Sequence, residues 1–299
     1  MGEFETEFSY SEAIPHEEGV SRRDPSPVVR IGSTYHVWYS KTAHDPSGYF
    51  ATVWHATSED GRTWAERGEA IPTGADDAWD ANGVFTPTTL LAEGKVWLFY
   101  TAVPKPFTND DPEPTKTAIG AAFAHSPDGP WTKFDGNPVL RPADDPDEFD
   151  SLRVDDACLI VRDGRTWLYY KGRQMRRTPG ETKTGVAFAD APAGPYVRYE
   201  GNPVIGSGHE VCVWPHGTGV GALVAPCGPE GNTCQWSADG LHFEVKAAVQ
   251  PPSAPGPYRA DAYEDVVWGD GITWGLCQRF TRGRWPFLAR FDCDLRAAR

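Results

Sequence analysis

Apolar residues fall in short runs bounded by Gly, Pro, Asn and Asp, and the same order of runs returns with a period of about 50 to 70 residues. The first copy reads RDPSPVVRIGSTYHVWYS, then VWHATSEDGRTWAERGEAI. The second reads VFTPTTLLAEGKVWLFYTA, then IGAAFAHSPDGPWTKFDGNPVL. The third reads VDDACLIVRDGRTWLYYKG, then TGVAFADAPAGPYVRYEGNPVI. The fourth reads GHEVCVWPHGTGVGALVAP, then NTCQWSADGLHFEVKAAV, and a more worn fifth reads YEDVVWGDGITWGLCQRF, then PFLARFDCDL.

Each copy parses as four short strands. An apolar inner strand turns through a Gly-containing segment such as DGRT, AEGK or HGTG into an aromatic strand. Trp38-Tyr39, Phe99-Tyr100 and Tyr169-Tyr170 occupy matching places in that second strand. A third strand rich in Ala, Thr and Phe then reaches a DG or AG turn, a strong hairpin signal. The outer strand that follows carries Trp64, Trp131, Tyr196 or Phe243. Four-stranded units repeated about an axis are propeller blades. The pattern predicts an all-β, five-bladed β-propeller forming a single domain over residues 1–299, with blades near 20–76, 77–145, 146–206, 207–252 and 253–297. A β-sandwich leaves the repeat unexplained, and no Pro/Ser linker or charge run divides the chain into two domains. The aromatics that recur in every copy read as inter-blade core.

Composition agrees with many short strands and turns: 31 Gly, 27 Pro and 12 Trp among 299 residues. A formal net charge of −14 argues against a nucleic-acid or anionic-membrane partner. No stretch approaches the roughly 18 apolar residues of a membrane span. The opening MGEFETEFSYSEAIPHEEGV is acidic and polar, unlike a signal or transit peptide, so a cytoplasmic protein is expected. The six cysteines (Cys158, Cys212, Cys227, Cys234, Cys277 and Cys293) have no CxxC spacing and read as buried thiols. In an exported protein, Cys227 and Cys234 would flank a hairpin closely enough to bridge. His209-Glu210 starts an HExxH pattern, but the next histidine is His216, so the zinc spacing fails and no metal site is expected.

Propeller geometry gathers the starts of inner strands around one mouth. Asp24, Asp156 and the pair His209-Glu210 stand at such starts, whereas the second copy offers Phe85-Thr86-Pro87, which supplies shape rather than charge. Breaking a glycosidic bond takes one group to protonate the leaving oxygen and another to activate water or attack carbon, and two carboxylates are the usual pair. A third ionised group nearby raises its neighbour's pKa. One Asp at a strand head is ordinarily a turn or cap residue. Acids at the same phase in several copies point instead to a glycosidase site.

The segments RRDPSPV, HVWYS, WHATSEDGRTW, VFTPTTL, SPDGPWTK, LYYKGRQM, GVAFADAPAGPYV, GHEVCVWP and GPEGNTCQW resemble glycoside hydrolase family 117, the α-1,3-L-neoagarooligosaccharide hydrolases, among the five-bladed propeller enzymes related to family 43. The resemblance runs from about Arg22 to Val245. It implies Asp24 as the general base of an inverting attack, Asp156 as an orienting and pKa-tuning carboxylate, and His209 as the general acid. Glu210 stands where related propeller hydrolases place their acid. Consecutive strand residues face opposite sides, so His209 and Glu210 are not expected to reach the bond equally, and the resemblance favours His209. Imidazolium is a competent acid near neutral pH.

Departures fall where a sugar pocket would be lined. Asp155 and Ala157 replace the histidine and proline of the family's VHDPC segment. The segment before VFTP reads DANG, Asp80 to Gly83, without an expected aspartate and arginine. The helical arm that many members exchange is short or absent, so an oligomer remains open but an arm-swapped dimer is not expected. Asp155, Thr86, Arg153, Lys171 and Arg173 are further candidates for substrate contact. Trp79, Trp214, Trp236 and Phe107 are candidate stacking faces, with core packing the stronger reading for any one of them. No cofactor is expected; a cation at the propeller axis is compatible with the group, although spacing singles out no ligands. The expected partner is a small oligosaccharide or glycoside. The function read from this is an exo-acting, inverting glycoside hydrolase that releases a terminal sugar. A propeller phosphorylase, in which phosphate replaces water, and a non-catalytic carbohydrate-binding propeller are the rivals.

Overall fold

The computed structural model describes residues 2–106, 114–280 and 283–299. Its strands are β1 (Ser9–Ile14), β2 (Ser21–Arg23), β3 (Val29–Ile31), β4 (Thr34–Thr42), β5 (Thr52–Ser58), β6 (Ala65–Ile71), β7 (Gly83–Ala92), β8 (Lys95–Val103), β9 (Ala118–Ala124) and β10 (Thr132–Lys133). The second half adds β11 (Arg153–Arg162), β12 (Arg165–Arg173), β13 (Lys183–Ala189), β14 (Val197–Arg198), β15 (Val211–Gly217), β16 (Gly219–Val224), β17 (Thr233–Ser237) and β18 (Glu244–Ala248). The last three are β19 (Ser253–Pro257), β20 (Gly269–Arg279) and β21 (Phe287–Arg296). Among the described residues the one helical element is a 3-10 turn, Pro179–Glu181.

Pairing between the named strands is antiparallel. β2 and β3 both pair with β4, which leads to β5 and β6; β7 to β10 and β11 to β14 form two simple meanders. β15 to β18 form another, joined to the group β19, β20, β21 and β1 by a two-residue ladder at His216–Asp270 and Gly217–Gly269. Strands near the axis touch in cyclic order: β4 with β7, β7 with β11, β11 with β15, β15 with β19. The cycle closes where Val28 bridges Tyr258 in parallel, Val28 N–H donating to the Pro257 carbonyl at 2.9 Å. The all-β expectation holds, in a propeller-type arrangement.

The worn fifth copy is where sequence pattern and structure part. YEDVVW was expected as its inner strand, yet Asp261 to Trp268 form a turn and loop. The strand nearest the axis is β19, whose SAPGP sequence reads as a turn because Pro and Gly dominate it. Its outer strand comes from the other end of the chain: β1 pairs with β21, Tyr10 opposite Phe291 and Ser11 opposite Arg290. The chain's two ends are thereby hydrogen-bonded into one group.

Recurring aromatics seal the seams between groups. Trp131 meets Trp38 of the preceding group edge-on at 5.8 Å, Tyr196 meets Phe99 at 6.2 Å and Phe243 meets Tyr169 at 6.2 Å. Trp64 packs in one cluster with Leu276 and Leu288 of the last group. One contact type is thus reused around the ring, with the geometry that aromatic quadrupoles favour. Phe99 is fully buried at such a seam. Phe99→Ala should cost about 3 to 5 kcal/mol, read as a lower urea midpoint by circular dichroism; a loss below about 1 kcal/mol would remove this ring from the load of the seam.

Candidate active site

The strands nearest the axis carry an unusual backbone at their pocket ends. Asp24, Thr86, Asp156 and Ala254 have φ of 47°, 47°, 49° and 45°, the left-handed region that non-glycine residues seldom occupy. They precede Pro25, Pro87, Ala157 and Pro255 in turn. The ladder slips at three of these places, between Phe85 and Thr88, Asp155 and Cys158, and Ser253 and Gly256. These are bulges that re-aim a side chain toward the axis.

Each strained residue is held by an acceptor. Thr86 N–H donates to Ser40 Oγ at 2.8 Å, Asp156 N–H to Thr101 Oγ1 at 3.2 Å and Asp24 N–H to Gln278 Oε1 at 3.4 Å. Ser40, Thr101 and Gln278 occupy one position near the ends of β4, β8 and β20, always in the preceding group. Register puts Lys171 at that position in the third group, and in the fourth it falls to Ala225, directly after the last β16 residue Val224; neither side chain can accept a hydrogen bond. The fourth group accordingly lacks a left-handed residue at its head other than Gly208. For the fifth, the missing acceptor is replaced by Glu210, whose Oε2 takes the Ala254 N–H at 2.5 Å.

Three of these heads, Asp24, Thr86 and Asp156, converge on one pocket, lined also by Arg23, Tyr49, Phe85, Arg153, Asp155, Lys171, Arg173, His209 and Glu210 with the loops around Ser47 and Pro179–Thr182. Nine of the thirteen sequence candidates therefore meet: Asp24, Asp156, His209, Glu210, Asp155, Thr86, Arg153, Lys171 and Arg173. His209 and Glu210 were expected to point apart as strand neighbours, but β15 begins only at Val211. Free of the pleat, both side chains line the pocket.

Trp79 and Trp214 do not join it. Trp79 stacks on Tyr100 at 5.9 Å and is wedged over Gly120, where an added Cβ would sit 2.5 Å from its ring. Trp214 is buried in the core of the fourth group and donates its indole N–H to His216 Nδ1 at 3.2 Å. Trp236 is tied to the His216 carbonyl at 3.1 Å. Phe107 lies outside the described residues. In the DANG segment, Asp80 is buried against Lys133 at 2.6 Å, away from the pocket. All six cysteines are free thiols, four of them buried. Among the described residues no group of three or more His, Cys, Asp or Glu side chains is arranged to hold a metal ion. No helix among them is long and apolar enough to cross a membrane.

Sequence reasoning missed Arg23, Tyr49, Thr182 and Gln278. Arg23 was in view, adjacent to Asp24, and its Nε lies 3.8 Å from Asp24 Oδ2. Gln278 sat in the worn copy and carried no signal of its own.

Lys171 organises the charge. Its Nζ lies 2.5 Å from Asp156 Oδ2 and 3.4 Å from Asp155 Oδ1. Burial alone would lower its pKa, but the two aspartates hold it above the ordinary lysine value. The same ammonium, with burial, pushes His209 down to about 4 against the opposing pull of Asp156. Burial, then Asp24, push Glu210 up to about 7, opposed by the Ala254 N–H it accepts. Asp24 is also raised, by burial and by Asp156, while Arg23 and Lys171 pull it down. At neutral pH the imidazole is therefore uncharged and Glu210 is near half protonation.

Residues 21–185 match the model of the Glycosyl hydrolases family 32 N-terminal domain. Zg3597, a family 117 glycoside hydrolase produced by the marine bacterium Zobellia galactanivorans, is 33% identical, with a TM-score of 0.88 covering 98% of this chain and 92% of that one. The alpha-L-arabinofuranosidase from Lactobacillus brevis is 12% identical with a TM-score of 0.60, covering 91% of this chain and 90% of that one. Fructan 1-exohydrolase IIa from Cichorium intybus is 14% identical with a TM-score of 0.61, over 96% of this chain and 57% of that one. The last two likenesses concern fold alone.

Replacing Lys171 with Met should let the His209 pKa climb from about 4 toward its ordinary 6.5, because the largest depressing charge is gone. An NMR titration of the imidazole reads this directly, and an unmoved His209 would detach it from Lys171.

Proposed function

The chain belongs to glycoside hydrolase family 117, within the wider propeller group that shares the family 32 N-terminal domain, and we propose that this glycosidase is exo-acting and inverting, releasing a terminal sugar from short oligosaccharides. The observation that carries the mechanism is the pair Asp24 and Glu210 in one pocket, Asp24 beside the Arg23 guanidinium and Glu210 facing the carboxylates of Asp24 and Asp156. Arg23 at 3.8 Å and Lys171 favour the anion at Asp24. Glu210 faces Asp24 and Asp156, and like charges resist joint ionisation.

In this reading Asp24 takes a proton from water as that water attacks the anomeric carbon. Glu210 delivers its proton to the departing glycosidic oxygen, and the sugar leaves with inverted configuration. Asp156, clamped by Lys171, orients the sugar hydroxyls and keeps the Glu210 proton in place. The family resemblance favours His209 as donor, but an imidazole held to about 4 carries little proton at neutral pH. Its charge state instead suits a hydrogen-bonding role toward a sugar hydroxyl. The enclosing walls from Tyr49, Phe85 and the Pro179–Thr182 loop support attack at a chain end.

Asp24→Asn should lower kcat/KM by about 10²- to 10⁴-fold on whichever aryl glycoside or short oligosaccharide the wild type cleaves, with an unchanged melting temperature. Unaltered hydrolysis by that variant sinks the mechanism. NMR of the first product should show the inverted anomer; a retained one counts against the water-activating role.

The pH profile separates the two donors. Glu210 is protonated below about 7, so kcat/KM should be high there and fall as pH rises through about 7. The acidic limb should lie above 3.8, since the Asp24 pKa is raised. A descending limb near 4 instead would assign the proton to His209.

A further inference from the structure

Arg153 and Arg173 stand directly opposite each other across β11 and β12. Two residues along, on the same face, Asp155 stands opposite Lys171. Like charges in a facing cross-strand pair are unfavourable, and here both are removed from water, 2% and 4% exposed. This corner of the pocket gathers three cations, Lys171, Arg153 and Arg173, beside two carboxylates, Asp155 and Asp156, and Lys171 bridges those two. Burial, with Arg173 beside it, pushes Arg153 down to about 10, against the pull of Asp155. Arg153 is fixed by donating from Nη1 to the Thr115 carbonyl. Both arginines line the pocket, with Tyr49 and Thr182 alongside.

We propose that this corner is an anion subsite, in which Arg153 and Arg173 grip the carboxylate of a terminal acidic sugar whose glycosidic bond lies at Asp24 and Glu210. The proposal rests on the glycosidase reading and narrows its substrate class to uronic acid glycosides. Planar guanidiniums pair with carboxylates through parallel N–H···O bonds, which a neutral hydroxymethyl group cannot match. The rings of Tyr49 and Phe85, 6.1 Å apart on the same wall, offer an apolar surface for the sugar's C–H face. A chain with a net charge of −14 is a poor partner for a polyanion at long range. One charged terminal residue meets both constraints, since the local cations act only at contact.

The test is binding to the full-length protein by calorimetry and thermal shift, with glucuronate, galacturonate, mannuronate and guluronate each compared with its neutral parent sugar. At least one uronate should bind about 10-fold or more tighter than its parent. Arg173→Gln should erase that preference and Arg173→Lys should keep part of it. With no ligand, Arg173→Gln relieves the facing like charges but gives up the attraction of Asp155, so its circular dichroism spectrum serves only to show that the variant is folded. If that variant is unfolded, Arg153→Gln and the loss of uronate preference at high salt read the same property. Equal affinity for every uronate and its parent overturns the proposal. Stabilisation by inorganic phosphate with no uronate preference also overturns it, and assigns the corner to a free oxyanion. Hydrolysis is read separately: uronate preference without turnover of any glycoside removes the catalytic reading and leaves the subsite, whereas hydrolysis of neutral glycosides without that preference does the reverse.

Discussion

The molecule depends on a hydrogen bond made between neighbouring groups of strands at the axis. A side chain near the end of the second strand in one group accepts the backbone N–H of a left-handed residue on the axis side of the next. That residue sits in the left-handed region, a conformation that costs on the order of 1–3 kcal/mol for a non-glycine residue and persists only when surroundings impose it. The same interaction joins the groups and turns Asp24 and Asp156 toward the mouth. Seam and site are therefore one construction, and the strain is local to the residues whose side chains point at the ligand.

Where the series breaks, the chemistry becomes asymmetric. Lys171 takes the place of an acceptor, so it turns to Asp155 and Asp156 and puts a positive charge in the centre of the pocket. That charge holds His209 neutral. Ala225 takes the same place one group later, and the orphaned Ala254 N–H draws in the Glu210 carboxylate. Two substitutions at equivalent positions thus separate the roles of groups that the repeat would otherwise make alike. A symmetric ring of acids would have no basis for one proton donor and one base; here the broken repeat supplies it.

Much of this was legible in the sequence. The strand pattern showed because the inner strands of the first three copies are apolar and the turns carry Gly, and the acids showed because they share a phase. The seam aromatics were readable for the same reason, since Trp131, Tyr196 and Phe243 recur at one offset. What stayed hidden followed from position rather than composition. SAPGP is a strand held by neighbours against its own turn propensity. β1 is an exposed edge strand with only Ala13 and Ile14 buried, so it carries no apolar rhythm. His209 and Glu210 were placed on opposite faces because a strand was extended one turn of chain too far. Trp214 was an aromatic beside the acids in sequence, yet the pleat turned it into the core.

Glu210 carries two duties that a single substitution confounds. Its Oε2 holds the fifth group's strained head through Ala254, and Gln278 Nε2 approaches Oε1 at 3.4 Å. Removing the side chain would release a buried N–H as well as a proton donor, so lost activity in an alanine variant speaks to neither duty alone. An amide keeps an acceptor oxygen for Ala254 while abolishing titration. The raised pKa also sets a sign. A carboxyl whose folded pKa is about 7 against an ordinary 4.5 is most compatible with the folded state at low pH, and it opposes folding increasingly as pH rises between those values. A neutral amide escapes that opposition. The carboxylate is thus kept at a position where stability above neutral pH would favour its replacement, a conflict that the chemistry of proton donation resolves.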